Sequence, residues 1–164
     1  MEWRERDGVR WLEARLPGAA VAFTTRLGGV SEAPFAALNL GLFTEDDRDA
    51  VIENRRRLAA ALGLQLESIA VAHQVHGTEL IDHAQGSPEG AELVEADGHV
   101  VTAEGMAALV FVADCVPVAL AGPSGVAMLH CGRRGLAAGI VAKGAAAVGA
   151  TDAAIGPSIG LARA

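Results

Sequence analysis

Two apolar runs joined by a short turn restrict the possible folds of this chain more than any other feature. Residues 116–121 and 126–130 flank the turn sequence Gly122-Pro123-Ser124-Gly125, a pattern that predicts a β-hairpin. A further apolar run at residues 107–114 predicts a strand just before the hairpin. The pattern therefore predicts three consecutive strands in this part of the chain.

Two helical patterns accompany these strands. Residues 44–62 give the clearer one, with Thr44 as the expected N-cap and Gly63 as the residue that ends the helix. Residues 134–148 predict a second, Ala-rich helix that is weakened by Gly139. Shorter strands are predicted at residues 21–25, 68–76 and 98–102. This mixture of elements indicates an α/β or α+β fold with a mixed sheet.

The distribution of charge excludes several classes of partner. The formal net charge is −7, and no Lys or Arg occurs between Arg57 and Arg133, a stretch that holds nine acidic residues. Because a nucleic-acid surface needs clustered cations, we expect no nucleic-acid partner. The N-terminus is charged from Glu2 onward, unlike a signal peptide, and no apolar run is long enough to span a bilayer. We therefore expect a cytoplasmic protein without membrane contact.

Three residues that follow or end predicted strands are candidate ligands of one metal ion. They are His76, Cys115 and His130. Two imidazoles and one thiolate form a zinc set that leaves a fourth position for water or substrate, which is the arrangement of catalytic zinc. Their spacings of 39 and 15 residues match no local metal motif. On the residues alone, three buried polar side chains without a metal therefore remain the alternative interpretation.

Charged residues near this trio indicate supporting roles. Asp97 and Asp114 are candidates for orienting a ligand imidazole or for acting as general bases, although the glycine after Asp97 favours a plain turn aspartate. Arg134 lies in Gly132-Arg133-Arg134-Gly135, at the start of the second predicted helix. This segment predicts either an anion site for phosphate next to the metal or two arginines exposed at a turn.

Short motifs follow one another along nearly the whole chain. They are Thr24-Thr25-Arg26 through Gly28-Gly29-Val30-Ser31, Leu38-Asn39-Leu40-Gly41, Asn54-Arg55, Gln74-Val75-His76-Gly77, Ala96-Asp97-Gly98, Ala113-Asp114-Cys115-Val116-Pro117-Val118, His130 to Gly135, and Ile155-Gly156-Pro157. In this order they resemble the YfiH/YlmD family, also known as multicopper polyphenol oxidase or laccase-domain proteins. No single motif is specific, but their number and order are.

The resemblance implies a layered α/β/β/α arrangement with mixed sheets and one zinc ion bound by His, Cys and His. These ligands correspond to His76, Cys115 and His130. The implied activity is phosphorolysis of purine nucleosides such as adenosine, inosine, guanosine and methylthioadenosine, with adenosine deamination beside it. A multicopper oxidase would need many more histidines than the five scattered ones of this chain, so we expect zinc rather than copper.

The resemblance also predicts the roles of individual residues. The catalytic set comprises the three ligands and Asp114, while Arg26, Asn39 and Arg134 are expected to bind the substrate or the phosphate anion. We expect a monomer or a homodimer. Other members are described as peptidoglycan-editing amidases or as polyphenol oxidases (laccases). The alternative functions are therefore a peptidoglycan-precursor amidase, a polyphenol oxidase, or a truncated zinc-binding relative without turnover.

The chain departs from the family pattern in two places. The family usually shows His-Ala-Gly-Trp-Arg-Gly where residues 130–135 read His-Cys-Gly-Arg-Arg-Gly, so Cys131 is a second thiol beside a candidate ligand and Arg133 replaces a tryptophan. Full-length relatives also continue well past Ile155-Gly156-Pro157. We therefore expect residues 1–164 to form a single domain that lacks the C-terminal part of these relatives.

Overall fold

The computed structural model describes residues 1–83 and 94–158, which form several sheets and helices. The contacts divide the chain into two compact units, which are described separately below. The first comprises Met1–Ala14 and Ala22–Glu67, and the second comprises Arg15–Val21 and Ser68–Ala164. None of the described helices has the length and apolar character needed to cross a membrane. The single domain predicted over the whole chain stays a prediction.

A small three-stranded sheet begins the chain, with its strands neighbouring one another in chain order. Strands β1 (Glu2–Arg6) and β2 (Val9–Leu16) are antiparallel, and β3 (Ala19–Thr24) follows. Asp7 and Gly8 join the first two strands with φ angles of 51° and 80°, as the favoured two-residue hairpin turn requires. The sequence prediction found β3 but missed β1 and β2. The side chains of β1 are all exposed and show no apolar alternation.

Helix α1 (Arg48–Leu62) begins four residues later than predicted and ends as predicted. Its N-cap is Asp47, whose side chain accepts a hydrogen bond from the amide of Asp49. Thr44 instead donates its hydroxyl to the carbonyl of Gly41, so it stabilises the preceding loop and does not cap the helix. Gly63 ends the helix in the left-handed conformation, with a φ of 72°.

The second unit contains a five-stranded mixed sheet. Its strands are β5 (Leu80–Asp82), β6 (Gly98–Val101), β8 (Val116–Gly122), β9 (Gly125–Cys131) and β10 (Asp152–Ile155). Their order is β10-β8-β9-β6-β5, in which β5 and β6 pair in parallel and the other neighbours pair antiparallel. A short parallel pair, β4 (Ile69–Ala70) with β7 (Ala107–Ala108), follows a turn of 3₁₀ helix at Leu66–Ser68. The mixed fold class and the hairpin β8–β9 are both confirmed.

The predicted helix at residues 134–148 is two helices in the structure. Helix α2 (Arg133–Ala137) and helix α3 (Ile140–Val148) are separated at Gly139, whose φ of 90° is incompatible with a continuous helix. Helix α3 packs on the sheet at Gly144, where an added Cβ would lie 2.8 Å from the side chain of Leu129. A glycine here permits the helix to approach the sheet closely. The core between them comprises Val100, Val118, Leu120, Ala127, Leu129, Cys131, Ile140 and Val148.

The strand predicted at residues 107–114 is wrong beyond Ala108. The backbone N–H and carbonyl of Phe111 bond to the side-chain amide of Gln74, at 2.7 and 2.8 Å, in place of a strand partner. Val112 is exposed despite its position in the apolar run. Residues 109–115 therefore form an irregular segment that leads into β8 at Val116.

Two histidines of the second unit, His83 and His99, are completely buried. The Nε2 atom of His83 lies 2.9 Å from the Nδ1 atom of His99, so one ring donates the hydrogen bond and the other accepts it. Burial, and after it repulsion from His83, lowers the pKa of His99 from 6.5 to about 4. The imidazole of His99 is therefore neutral in the folded protein at neutral pH.

We expect the buried His99 to make the protein less stable as the pH falls from 6.5 towards about 4. In that range the unfolded chain binds a proton at His99 that the folded chain does not, so the free energy of unfolding rises with pH. The contribution of His99 between about pH 7 and about pH 5 is about 2 kcal/mol. Urea unfolding at both pH values measures it. His99→Gln should show a shallower pH dependence, and an equal slope would contradict this assignment.

Candidate metal centre

The three predicted metal ligands lie together in the second unit. One ligand atom from each of His76, Cys115 and His130 lies within 4.8 Å of the other two. Three tetrahedral ligands with zinc bonds of about 2.0–2.3 Å would be separated by roughly 3.5 Å. A shift of about 1 Å at the widest pair would therefore bring all three within bonding distance of one ion. The donor set and its spacing fit a single zinc ion.

His130 is held by strand β9 and by a buried carboxylate. It lies opposite Pro117 of β8, and only 3% of its surface is exposed. Its Nδ1 atom lies 2.7 Å from Oδ1 of Asp97, and its backbone N–H donates to the carbonyl of Asp97. Because Nδ1 is used in this hydrogen bond, Nε2 is the nitrogen left to bind a metal.

His76 lies in a turn and not at the end of a strand, because the strand predicted at residues 68–76 ends at Ala70 in the structure. Its φ of 62° places it in the left-handed region that residues with a side chain rarely adopt. The backbone N–H groups of Val75, His76 and Gly77 all donate to the carboxylate of Asp97. The imidazole is exposed and meets that of His130 edge to face, with ring centroids 4.7 Å apart.

Asp97 is a fully buried carboxylate that accepts all of these hydrogen bonds. Burial alone would raise its pKa. The hydrogen bonds from His130 and from the amides of Gly77, Val75 and His76 outweigh burial and hold the pKa of Asp97 below its ordinary value of 3.8. Asp97 is therefore ionised, and the alternative of a plain turn aspartate is wrong.

Cys115 directly precedes strand β8 and is partly buried. Burial, followed by the negative charges of Asp114 and Asp97, raises the pKa of its thiol above 9.0. A divalent cation at this position would reverse that effect because it stabilises the thiolate. The carboxylate of Asp114 is exposed to solvent, so its charge needs no ion-pair partner within the protein.

Two glycines bring the chain close to the trio. A Cβ at Gly132 would lie 2.5 Å from Cδ2 of His76 and 3.3 Å from Sγ of Cys115, so both ligands pack directly against this backbone. A Cβ at Gly135 would lie 2.6 Å from the carbonyl oxygen of Gly77. The segment after β9 therefore fits against the ligands only if it has no side chain at these positions.

Gln74 and Gly132 were not singled out for a role in the sequence prediction. The amide of Gln74 bonds both backbone groups of Phe111, which ties the turn before His76 to the irregular segment before Cys115. Both residues lie within the quoted family motifs, which was the available signal. Their roles depend on contacts between distant segments, which no local pattern reveals.

The predicted anion-binding residues occupy different parts of the structure. Arg134 is exposed and donates from Nη2 to the carbonyl oxygen of Val75 at 3.1 Å, next to His76. Arg26 and Asn39 belong to the first unit. Arg26 donates from its guanidinium to the carbonyl of Ala36. Their predicted roles in binding stay predictions.

Asn39 lies in a loop of the first unit that is organised by side-chain amides. Its Nδ2 donates to Thr44 and to Asp46, and its Oδ1 accepts from the amide of Gly41. Asn54, which is completely buried in α1, bonds the hydroxyl of Ser31, the amide of Val30 and the carbonyls of Ala37 and Asn39. Asn54 therefore fixes the backbone at Asn39.

Cys131 does not belong to the trio in this structure. It lies one residue after His130 in β9, so its side chain points to the opposite face of the sheet. There it is buried in the hydrophobic core beside Val118 and Leu129. Burial, and after it the charges of Cys115 and Asp97, raises the pKa of its thiol to about 11. A buried thiol with a raised pKa is inert, which agrees with the position of Cys131 in the core.

Comparisons with known proteins agree on one family. Residues 20–163 match the family model described as multi-copper polyphenol oxidoreductase laccase. A Corynebacterium glutamicum protein named purine nucleoside phosphorylase is 42% identical over 123 residues, which cover 74% of this chain and 50% of that protein. Purine nucleoside phosphorylase YlmD of Geobacillus stearothermophilus is 38% identical over 147 residues, which cover 83% of this chain and 54% of that protein.

Comparison of the fold with solved structures indicates the same family. The crystal structure of the hypothetical protein YfiH from Bacillus licheniformis superposes with a TM-score of 0.85 at 30% identity, covering 96% of this chain and 65% of that one. The chain spans about half the length of the curated relatives that it matches. Because the family model covers most of the chain and the named relatives share at least 38% of the aligned residues, the chain belongs to the YfiH/YlmD family.

Proposed function

We propose that this chain belongs to a zinc-dependent purine nucleoside phosphorylase that cleaves adenosine, inosine, guanosine or methylthioadenosine with phosphate. Adenosine deamination is the proposed side activity. The main support is the convergence of His76, Cys115 and His130 in a chain whose relatives are named purine nucleoside phosphorylases. The proposed setting is the cytoplasm, where a thiol such as that of Cys115 stays reduced.

The donor set supports zinc over copper. One thiolate and two imidazoles are a common zinc set with an open fourth position, and a bound zinc ion would supply a Lewis acid. Oxidation of phenols by several copper ions needs further histidine ligands. Among the described residues, the trio is the one group of three or more His, Cys, Asp or Glu side chains that is arranged to hold a metal ion. The family description as a laccase therefore does not decide the metal.

The charges around the trio suggest how phosphate and nucleoside would be held. Arg134 is anchored to the carbonyl of Val75 through one N–H, which keeps its guanidinium next to His76. Its other N–H groups are proposed to donate to phosphate, because a guanidinium matches the geometry of phosphate oxygens. Asp114, exposed beside Cys115, is the proposed general base. Arg26 and Asn39 are proposed to contact the substrate.

Dependence on phosphate is the direct test of this function. The zinc-loaded protein, incubated with adenosine, should release adenine when phosphate is present and none when it is absent. Release of inosine in both samples would indicate that deamination is the main reaction. If no nucleoside reacts although zinc is bound stoichiometrically, phosphorolysis by this chain is contradicted. A zinc-binding relative without turnover is then the better description, or an amidase if a peptidoglycan precursor is cleaved.

Replacing Arg134 with Met should weaken phosphate binding. Loss of a charge-assisted hydrogen bond is expected to raise the phosphate KM by about tenfold or more, with a smaller effect on the nucleoside KM. Steady-state kinetics with varied phosphate measures this. Arg56→Met is the matched control, because Arg56 is an exposed arginine on α1. An unchanged phosphate KM in Arg134→Met would remove Arg134 from this role.

A further inference from the structure

We infer that Asp97 is a positioning residue that couples two of the three ligands, since its single carboxylate sets both the turn that presents His76 and the ring proton of His130. The inference rests on the proposed metal centre but not on the proposed phosphorolysis.

The first part of the coupling is at the turn of His76. Oδ1 of Asp97 accepts the N–H of His76 at 2.8 Å, and Oδ2 accepts those of Val75 and Gly77 at 3.1 and 2.6 Å. Three consecutive amides thus point at one carboxylate. His76 has the left-handed φ of 62°, which a residue with a side chain holds only when its surroundings impose it. The carboxylate of Asp97 supplies that constraint.

The second part is at the ring of His130. The same Oδ1 atom lies 2.7 Å from Nδ1 of His130. An ionised carboxylate only accepts hydrogen bonds, so Nδ1 of His130 must carry the proton that this contact shares. The lone pair is then on Nε2, the nitrogen available to the metal. His130 is therefore fixed in the tautomer that binds a metal before any metal arrives.

The number of donors explains why this position requires a carboxylate. Four N–H groups converge on Asp97, and an ionised carboxylate offers about four lone-pair sites. Asparagine has the same shape, but it offers one oxygen, and its NH₂ group would face N–H donors. Because Asp97 has no exposed surface, water cannot replace the lost acceptor. Asp97→Asn should therefore disturb both ligands at once.

The test is the zinc affinity of Asp97→Asn, measured by competition with a chromophoric chelator. We expect it to fall on the order of 10- to 100-fold, the usual effect of losing a partner that orients a ligand. In the metal-free protein, ¹⁵N NMR of the histidine rings should show a single Nδ1–H tautomer at His130 in the wild type and a mixture in the variant. Glu95→Gln, at an exposed carboxylate two residues away, is the matched control and should match the wild type in both measurements.

A folded Asp97→Asn protein with wild-type zinc affinity would overturn the inference. If this variant does not fold, the wild-type protein decides the question alone. An Nδ1–H tautomer at His130, with slow hydrogen exchange at the amides of Val75, His76 and Gly77, supports the coupling, and an Nε2–H tautomer overturns it. Failure of the metal centre itself is distinguishable, because a Cys115→Ala variant would then retain its zinc.

Discussion

Replacing Cys115 with Ala should abolish stoichiometric zinc binding by this chain. The variant removes the only anionic ligand of the trio and leaves two imidazoles, of which that of His76 is exposed and lies in a turn. We expect the zinc affinity to fall on the order of 100- to 1,000-fold, about the share of one ligand in the binding free energy of a zinc site. Metal analysis of protein dialysed against a weak chelator should then find zinc in the wild type and almost none in the variant.

The second thiol of the chain provides the control. Cys131 lies in the core on the opposite face of the sheet from His130, so Cys131→Ala should lose some stability but keep its zinc. Equal zinc in the wild type and in Cys115→Ala would contradict the proposed centre. Loss of zinc from Cys131→Ala with its retention in Cys115→Ala would assign the metal to the other thiol.

The parts of the fold that were predictable have strong local signals. The hairpin β8–β9 combines two apolar runs with a Gly-Pro-Ser-Gly turn, and both strands were found nearly residue for residue. The end of α1 was predictable because helices often end at a glycine in the left-handed conformation, which Gly63 adopts. Its start was not, because Thr44 and Asp47 are both good N-caps. Hydrogen bonds of Thr44 with Gly41 and Asn39 decide between them.

The errors have a common physical cause. Residues 107–114 have the apolar pattern of a strand, but a side chain from a distant segment, Gln74, takes the backbone groups of Phe111. The strand β1 has no apolar alternation because all five of its side chains are exposed. In both cases tertiary contacts override the local preference.

The candidate site was predictable in membership but not in geometry. The trio was proposed from ligand chemistry, and the ordered motifs of the family then supported it. The expectation that each member follows or ends a strand is wrong for two of them, since His76 lies in a turn and Cys115 follows an irregular segment and precedes a strand. Asp97 remained ambiguous because its sequence neighbours indicate only a turn. Its four donors come from two segments that are 20 to 33 residues away in sequence.

Gly132→Ala should disrupt the trio directly, because the added methyl group meets two of its members. The new Cβ would lie 2.5 Å from Cδ2 of His76 and 3.3 Å from Sγ of Cys115. The backbone of Gly132 has a φ of −72°, so alanine is not strained there and the effect is steric. The imidazole of His76 would have to move by about 1 Å to reach normal van der Waals separation. Zinc sites tolerate about 0.2 Å in ligand distance, so we expect affinity to fall on the order of 100-fold.

A variant at a second glycine, Gly105, is the control that distinguishes loss of the metal site from loss of stability. Gly105 has a φ of 77° and no atom within 4 Å of an added Cβ, so Gly105→Ala should cost stability through backbone strain alone. Thermal unfolding of both metal-free variants and chelator competition for zinc measure the two effects. We expect Gly105→Ala to be less stable yet to bind zinc as the wild type does, and Gly132→Ala to bind zinc weakly even where it is folded. If Gly132→Ala binds zinc with wild-type affinity, His76 does not need its present position against Gly132, and the metal must be held by a different arrangement of ligands.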